Sequence, residues 1–100
     1  MIKLTVLYGD PDNADDFESY YAGNHLPLLG KVPGVSRVET GKVLATPDGG
    51  EIPYYRVAEL WFDGMEKMMS AMDSPEGKEL AADLPRFATG GATVLITEVE

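Results

Sequence analysis

Cysteine is absent from the sequence, and histidine and tryptophan occur once each. Without thiols the chain has neither disulfide staples nor thiolate nucleophiles, and a cytoplasmic location is expected. Basic residues are also scarce, eight against seventeen acidic ones, for a formal charge of -9. That balance repels nucleic acid and anionic membrane surfaces, so neither is expected as a partner. The opening apolar segment, MIKLTVLY, is far too short to span a bilayer, and no signal peptide is expected. With a single histidine among scattered carboxylates and no Gly-rich phosphate loop, there is no expected metal, nucleotide or haem site. Any chemistry is expected to be cofactor-free. The length of 100 residues allows one hydrophobic core, so residues 1–100 are expected to form a single domain.

What is present is a regular alternation of strand and helix signals. Ile2, Leu4, Val6 and Tyr8 alternate with Lys3, Thr5 and Leu7 before Gly9-Asp10-Pro11, which predicts a strand over 2–8. Ala14, Phe17, Tyr21 and Leu28 follow at helical spacing behind Asn13, a capping residue, which predicts a helix over about 14–23. Pro27 is expected to close it, with a short turn or helix from Leu28 to Lys31. Two extended runs, Ser36–Ala45 and Tyr54–Asp63, flank the Pro47-Asp48-Gly49-Gly50 loop and are expected to pair antiparallel. Met65, Met68, Met69 and Met72 recur at the spacing of a buried helical stripe. A second helical piece starts at Ser74-Pro75 and is expected to stop at Pro85, and Ala92–Val99 reads as the last strand.

The order β-α-β-β-α-β predicts an α+β, ferredoxin-like fold: a four-stranded antiparallel sheet with both helices on one face. The third strand, YYRVAELWF, carries apolar residues on both of its faces. Either Val57 and Trp61 or Leu60 and Phe62 must then face away from the helices, and self-association through the open face, as a two-fold homodimer, resolves the exposure.

A series of short motifs runs through nearly the whole sequence: Tyr8-Gly9, Phe17 with Tyr20-Tyr21, His25-Leu26-Pro27-Leu28, Pro33-Gly34, Pro53-Tyr54-Tyr55-Arg56, Ala58-Glu59-Leu60-Trp61-Phe62, Ser74-Pro75-Glu76-Gly77 and Phe87-Ala88-Thr89-Gly90-Gly91. In their order and spacing the chain resembles EthD-like proteins of the dimeric α+β barrel superfamily. The resemblance implies a homodimer of two facing sheets and a small-molecule cavity between sheet and helices in each subunit. The superfamily is similar to cofactor-free monooxygenases, lactone isomerases and polyketide cyclases, and the family name derives from fuel-ether degradation, so the fold does not fix the reaction.

His25 lies four residues after Tyr21 and eight after Phe17, which directs its ring inward if the helix persists that far. An imidazole with an ordinary pKa near ~6.5 exchanges protons with a moderately acidic carbon or phenol at neutral pH. The expected catalytic residue is therefore His25, acting on a small hydrophobic or aromatic ligand, with Phe17, Tyr21, Tyr55, Glu59 and Trp61 as substrate-binding candidates. Arg56 and Glu59 are three apart on one strand, so only one of them can face His25 and orient it. Two functions are compatible with this set: a cofactor-free isomerase, cyclase or monooxygenase acting on a cyclic or aromatic carbonyl compound, and a non-catalytic dimer that binds such a ligand. In the plainer reading of the motif, the imidazole only satisfies carbonyls at a chain reversal.

Overall fold

The computed structural model describes residues 1–100. Strand β1 (Ile2–Tyr8) leads into helix α1 (Ala14–Tyr20), a π-helical turn (Tyr21–His25) and helix α2 (Leu26–Leu29). Strands β2 (Arg37–Lys42) and β3 (Arg56–Phe62), helices α3 (Met65–Asp73) and α4 (Pro75–Phe87) and strand β4 (Ala92–Glu98) complete the chain. The strands form one antiparallel sheet in the order β2-β3-β1-β4, the ferredoxin-like arrangement. Both outer strands are about one residue or more shorter at each end than their sequence signals, except β4 at its start.

The strand period of two decides what each face does. Leu4, Val6 and Tyr8 of β1 stand opposite Leu60, Ala58 and Arg56 of β3, and all but Arg56 are buried under the helices. They share one core with Phe17, Tyr21, Leu29, Met68, Leu80 and Phe87. Lys3, Thr5, Leu7, Val57, Glu59 and Trp61 point to the face that carries no helix. No helix is long and apolar enough to cross a membrane.

Pro27 does not close α1. The chain stays right-handed helical from Ala14 to Leu29, because the hydrogen-bond pattern changes at Tyr21–His25, where the Leu26 N–H donates to the Tyr21 carbonyl five residues back. This wider turn takes the Gly23 carbonyl out of the path of the Pro27 ring, and Pro27 then occupies the first turn of α2, where no N–H is needed. Pro85 likewise lies inside α4, which runs on to Phe87. Only the Ala81 carbonyl loses its partner there, on an exposed residue that water reaches.

The methionine stripe is also only half buried. Met68 is enclosed and Met72 partly so, whereas Met65 and Met69 are 50% and 60% exposed. Helix α3 rests on the core along Met68 and Ala71, which leaves the other two methionines on its flank. Two close backbone approaches then fix the frame. A Cβ on Gly9 would lie 2.1 Å from the Gly90 carbonyl, and the Gly9 N–H donates to Gly91 O at 2.9 Å, so the end of β1 is pinned to the turn before β4. A Cβ on Gly77 would lie 2.1 Å from the Ala71 carbonyl, so only glycine lets α4 start this close to α3.

Candidate functional site

The π-turn places the histidine. Residues spaced by four drift about 40° per step around an α-helix, so Phe17, Tyr21, His25 and Leu29 would spiral off one face of a regular helix. A wide turn rotates less per residue and cancels that drift, and all four side chains are buried. His25 itself is 4% exposed.

Its imidazole is held from one side. Nδ1 lies 2.9 Å from Oδ2 of Asp83, a residue of α4 that is 1% exposed. An ionised carboxylate only accepts, so the proton is assigned to Nδ1 and Nε2 keeps its lone pair. Nε2 has a single long contact, 3.5 Å from the Tyr8 hydroxyl. The other carboxylate oxygen of Asp83 accepts from the Tyr20 hydroxyl at 2.7 Å and from Arg86 Nη1 at 3.2 Å.

The surroundings set the charge states. Burial lowers the His25 pKa below the ordinary imidazole value, and the Asp83 bond only partly offsets it. For Asp83 burial acts upward, but the hydrogen bonds from Tyr20, His25 and Arg86 outweigh it and hold the carboxyl below its usual range. Burial, reinforced by the neighbouring Tyr21, pushes the Tyr8 phenol far above its ordinary value. At neutral pH the group is thus a neutral imidazole on an ionised carboxylate, beside a phenol that keeps its proton.

His25 and Tyr8, the residue nearest its Nε2, both line a cavity of about 100 Å³ between sheet and helices. Its strand side is Leu4, Val6, Tyr8, Ala58 and Leu60, and its helix side includes Tyr21, His25, Leu29, Leu80 and Leu84. Polar side chains are supplied only by Tyr8, Tyr21 and His25. The Tyr21 hydroxyl is buried with no hydrogen-bond partner. No group of three or more His, Cys, Asp or Glu side chains is arranged to hold a metal ion.

Of the residues singled out in the sequence, the fold brings His25 and Tyr21 to the cavity and leaves the others off it. Phe17 packs behind Tyr21, with ring centroids 5.5 Å apart, and does not line the cavity. Tyr55 meets Phe17 edge-on at 5.1 Å, outside the cavity. Glu59 and Trp61 fall on the opposite face of the sheet, because they alternate with the inward Ala58, Leu60 and Phe62. Glu59 there pairs with Lys3 at 2.8 Å, and Trp61 lies between the cations of Lys3 and Arg37. Arg56 does face the helices, but it bonds Glu18 and covers the Tyr21 ring at 4.8 Å instead of orienting His25. The orienting carboxylate is Asp83. It carried a signal in the sequence, since Leu80, Asp83, Leu84 and Phe87 occupy one helical stripe and an acid embedded in such a stripe demands a partner. Tyr8 gave none beyond its place at the end of a strand.

A four-stranded antiparallel sheet with its helices on one face, and one imidazole beside a small apolar cavity under them, places the chain in the ferredoxin-like α+β class. Within that class the chain belongs to the EthD family: residues 12–91 match the EthD domain. It is 36% identical over its full length to an uncharacterized 11.0 kDa protein of the thcB-thcC intergenic region of Rhodococcus erythropolis, covering 96% of that protein. It is also similar to an EthD family protein of Bacillus halodurans, with a TM-score of 0.93 and 32% identity over 100% of this chain and 99% of the other. At the level of fold alone it is similar to SnoaB of Streptomyces nogalater, a cofactor-independent oxygenase, with a TM-score of 0.67 and 15% identity over 98% of this chain and 91% of that one.

Proposed function

We propose that the protein is a cofactor-free enzyme that moves a proton on a small cyclic or aromatic carbonyl compound, with His25 as general base. The observation that carries this reading is the asymmetry of the imidazole. Nδ1 is tied to a buried carboxylate, and Nε2 is left with its lone pair beside an apolar cavity. In the reaction, a C–H bond next to the carbonyl breaks, its proton goes to Nε2, and its electron pair moves to the carbonyl oxygen as an enolate. Asp83 stabilises the imidazolium that forms, and the protonated Tyr8 hydroxyl donates to the developing oxyanion. Returning the proton to another atom completes an isomerisation or cyclisation.

Residues 1–100 act as one domain in this reading, and the functional unit is a cytoplasmic homodimer closed over the helix-free faces of two sheets, with one cavity per subunit. The cofactor-independent oxygenase with the same fold supports chemistry without a bound helper group. The test is solvent deuterium incorporation, followed by NMR, into a panel of cyclic enolisable ketones. Wild type should accelerate exchange of one or more of them, and His25→Gln should slow it by roughly 10²–10⁴-fold while ligand affinity stays within a few-fold. Compounds that bind with His25 as their hydrogen-bond partner but never exchange would leave a binding module in place of an enzyme.

A further inference from the structure

The cavity beside His25 is smaller than the molecules such sites usually hold. An apolar cavity of roughly 150 Å³ accommodates one benzene, and small-molecule pockets commonly reach about 300 Å³ or more. At about 100 Å³ this chamber is smaller than that benzene-sized cavity, so it admits an oxygen-bearing head and the part of a ring that carries it, and nothing more.

Its mouth can be located. Among the lining residues two are exposed, Ala81 on α4 and Val94 on β4. Val94 stands opposite Val6 and therefore faces the helix side, yet it remains 46% exposed because the helices do not reach over β4. Outside the mouth a groove of about 340 Å³ continues between α4 and the start of β4, sharing Ala81 and Leu84 with the cavity and adding Pro85, Ala88, Gly91 and Ala92. None of its lining side chains is charged or carries a polar group. None of the seventeen acidic residues of the chain lines this groove, which runs into the cavity through Ala81 and Leu84.

We infer that the ligand is larger than the chamber and amphipathic in shape: a small oxygen-bearing head enters to meet His25, and an uncharged apolar tail lies outside along the α4–β4 groove. Chamber and groove together have the size of an ordinary ligand pocket, and the rim explains which ligands are refused, since an anionic tail would find no cation among the groove residues. The inference rests on His25 as the partner of the head group, and it names the substrate class more closely than the acid–base reading does.

Binding of 4-alkylphenols separates the two. Phenol presents a head to Nε2, and a para chain of two, four or six carbons can only leave through the mouth. By calorimetry, affinity should rise about threefold or fourfold for each added methylene up to the length of the groove. Ala92→Glu, on an exposed edge-strand position that lines only the groove, should abolish that rise and leave phenol itself bound as in wild type. Ala81→Trp, which narrows the mouth, should do the same to the longer members by steric means. His25→Gln should weaken every member by one common factor and leave the dependence on chain length intact, so a failure of the head assignment shows as no change in that variant. Affinity that does not depend on chain length, a dependence that survives both groove variants, or no binding by any phenol would overturn the groove.

Discussion

On the helix side of the sheet, Tyr8, Phe17, Tyr21, Phe87 and His25 form one contiguous aromatic cluster, with ring centroids 4.6–5.7 Å apart, and the buried carboxylate there is Asp83, bonded on both oxygens. On the open side, Lys3, Arg37, Glu39 and Glu59 are arranged around Trp61, paired with each other and reached by water. The two faces come from alternate residues of the same strands. They differ in how charge is held: under the helices one buried carboxylate is fixed by hydrogen bonds, whereas on the open face charges are balanced in pairs that water reaches. Beside the fixed carboxylate an imidazole stays neutral, with its second nitrogen turned away from it. On the open face each pair contributes only about 0–1 kcal/mol in water, and that face suits contact with a second copy better than it suits chemistry.

Substitutions of large aromatic side chains should therefore behave differently on the two faces, and this is the largest expected effect. Phe17→Ala opens a hole in the aromatic cluster and should cost about 3–5 kcal/mol in urea unfolding, at any protein concentration. Trp61→Asp removes an even larger side chain but places charge on the open face. It should dissociate the proposed homodimer, so that the unfolding midpoint of wild type depends on protein concentration and that of the variant does not. Light scattering that shows Trp61→Asp still dimeric would break the comparison, because the open face would then not be the interface.

The next effect is a pH dependence confined to the helix side. The folded pKa of His25 lies below the ordinary 6.5, so on acidification the unfolded chain takes up that proton first. Stability from this source is complete above about pH 6.5 and declines as pH falls toward the folded value. Asp83, whose folded pKa lies below the ordinary 3.8, acts in the same direction at lower pH, with a contribution lost as pH falls through its folded value. Urea unfolding followed from about pH 8 to pH 2 should therefore fall in two stages, the first below about pH 6.5 and the second below about pH 3.8, and His25→Gln should erase the first stage. A first stage that persists in His25→Gln would assign it to another group.

How far these features are legible in the sequence depends on whether a local rule decides them. Strand β1 is read correctly to the residue because its alternation and the Gly9-Asp10-Pro11 stop agree. The inward direction of His25 is legible from the spacing of four after Phe17 and Tyr21. The means by which it is kept there is not, since a π-turn leaves no residue signature and local rules for Pro27 point to a helix end. The partner of His25 is decided by how α4 lies on the sheet, which depends on the contact of Gly77 with Ala71 and not on anything near the HLPL motif. From β3 alone, Glu59 and Arg56 are the available orienting groups; the third candidate is 58 residues along the chain from the histidine it serves.

Glu59 gives the smallest and most discriminating prediction. It stands opposite Glu39 in the β2–β3 register and 2.8 Å from Lys3, so Glu59→Gln gives up one partly exposed ion pair and at the same time relieves a cross-strand repulsion between like charges. The net change in subunit stability should be within about 1 kcal/mol of zero. Because the side chain points away from the helices, the exchange rate supported by His25 and the pH profile of unfolding above should both be those of wild type. Asp83→Asn is the matching change on the other face. It keeps the shape of the carboxylate but can turn an amide N–H toward Nδ1, which favours the wrong tautomer and removes the charge that stabilises the imidazolium, so exchange should fall by at least about tenfold. If Glu59→Gln slows exchange as much as Asp83→Asn, the two faces are not independent, and the acid–base site extends across the sheet into the dimer seam.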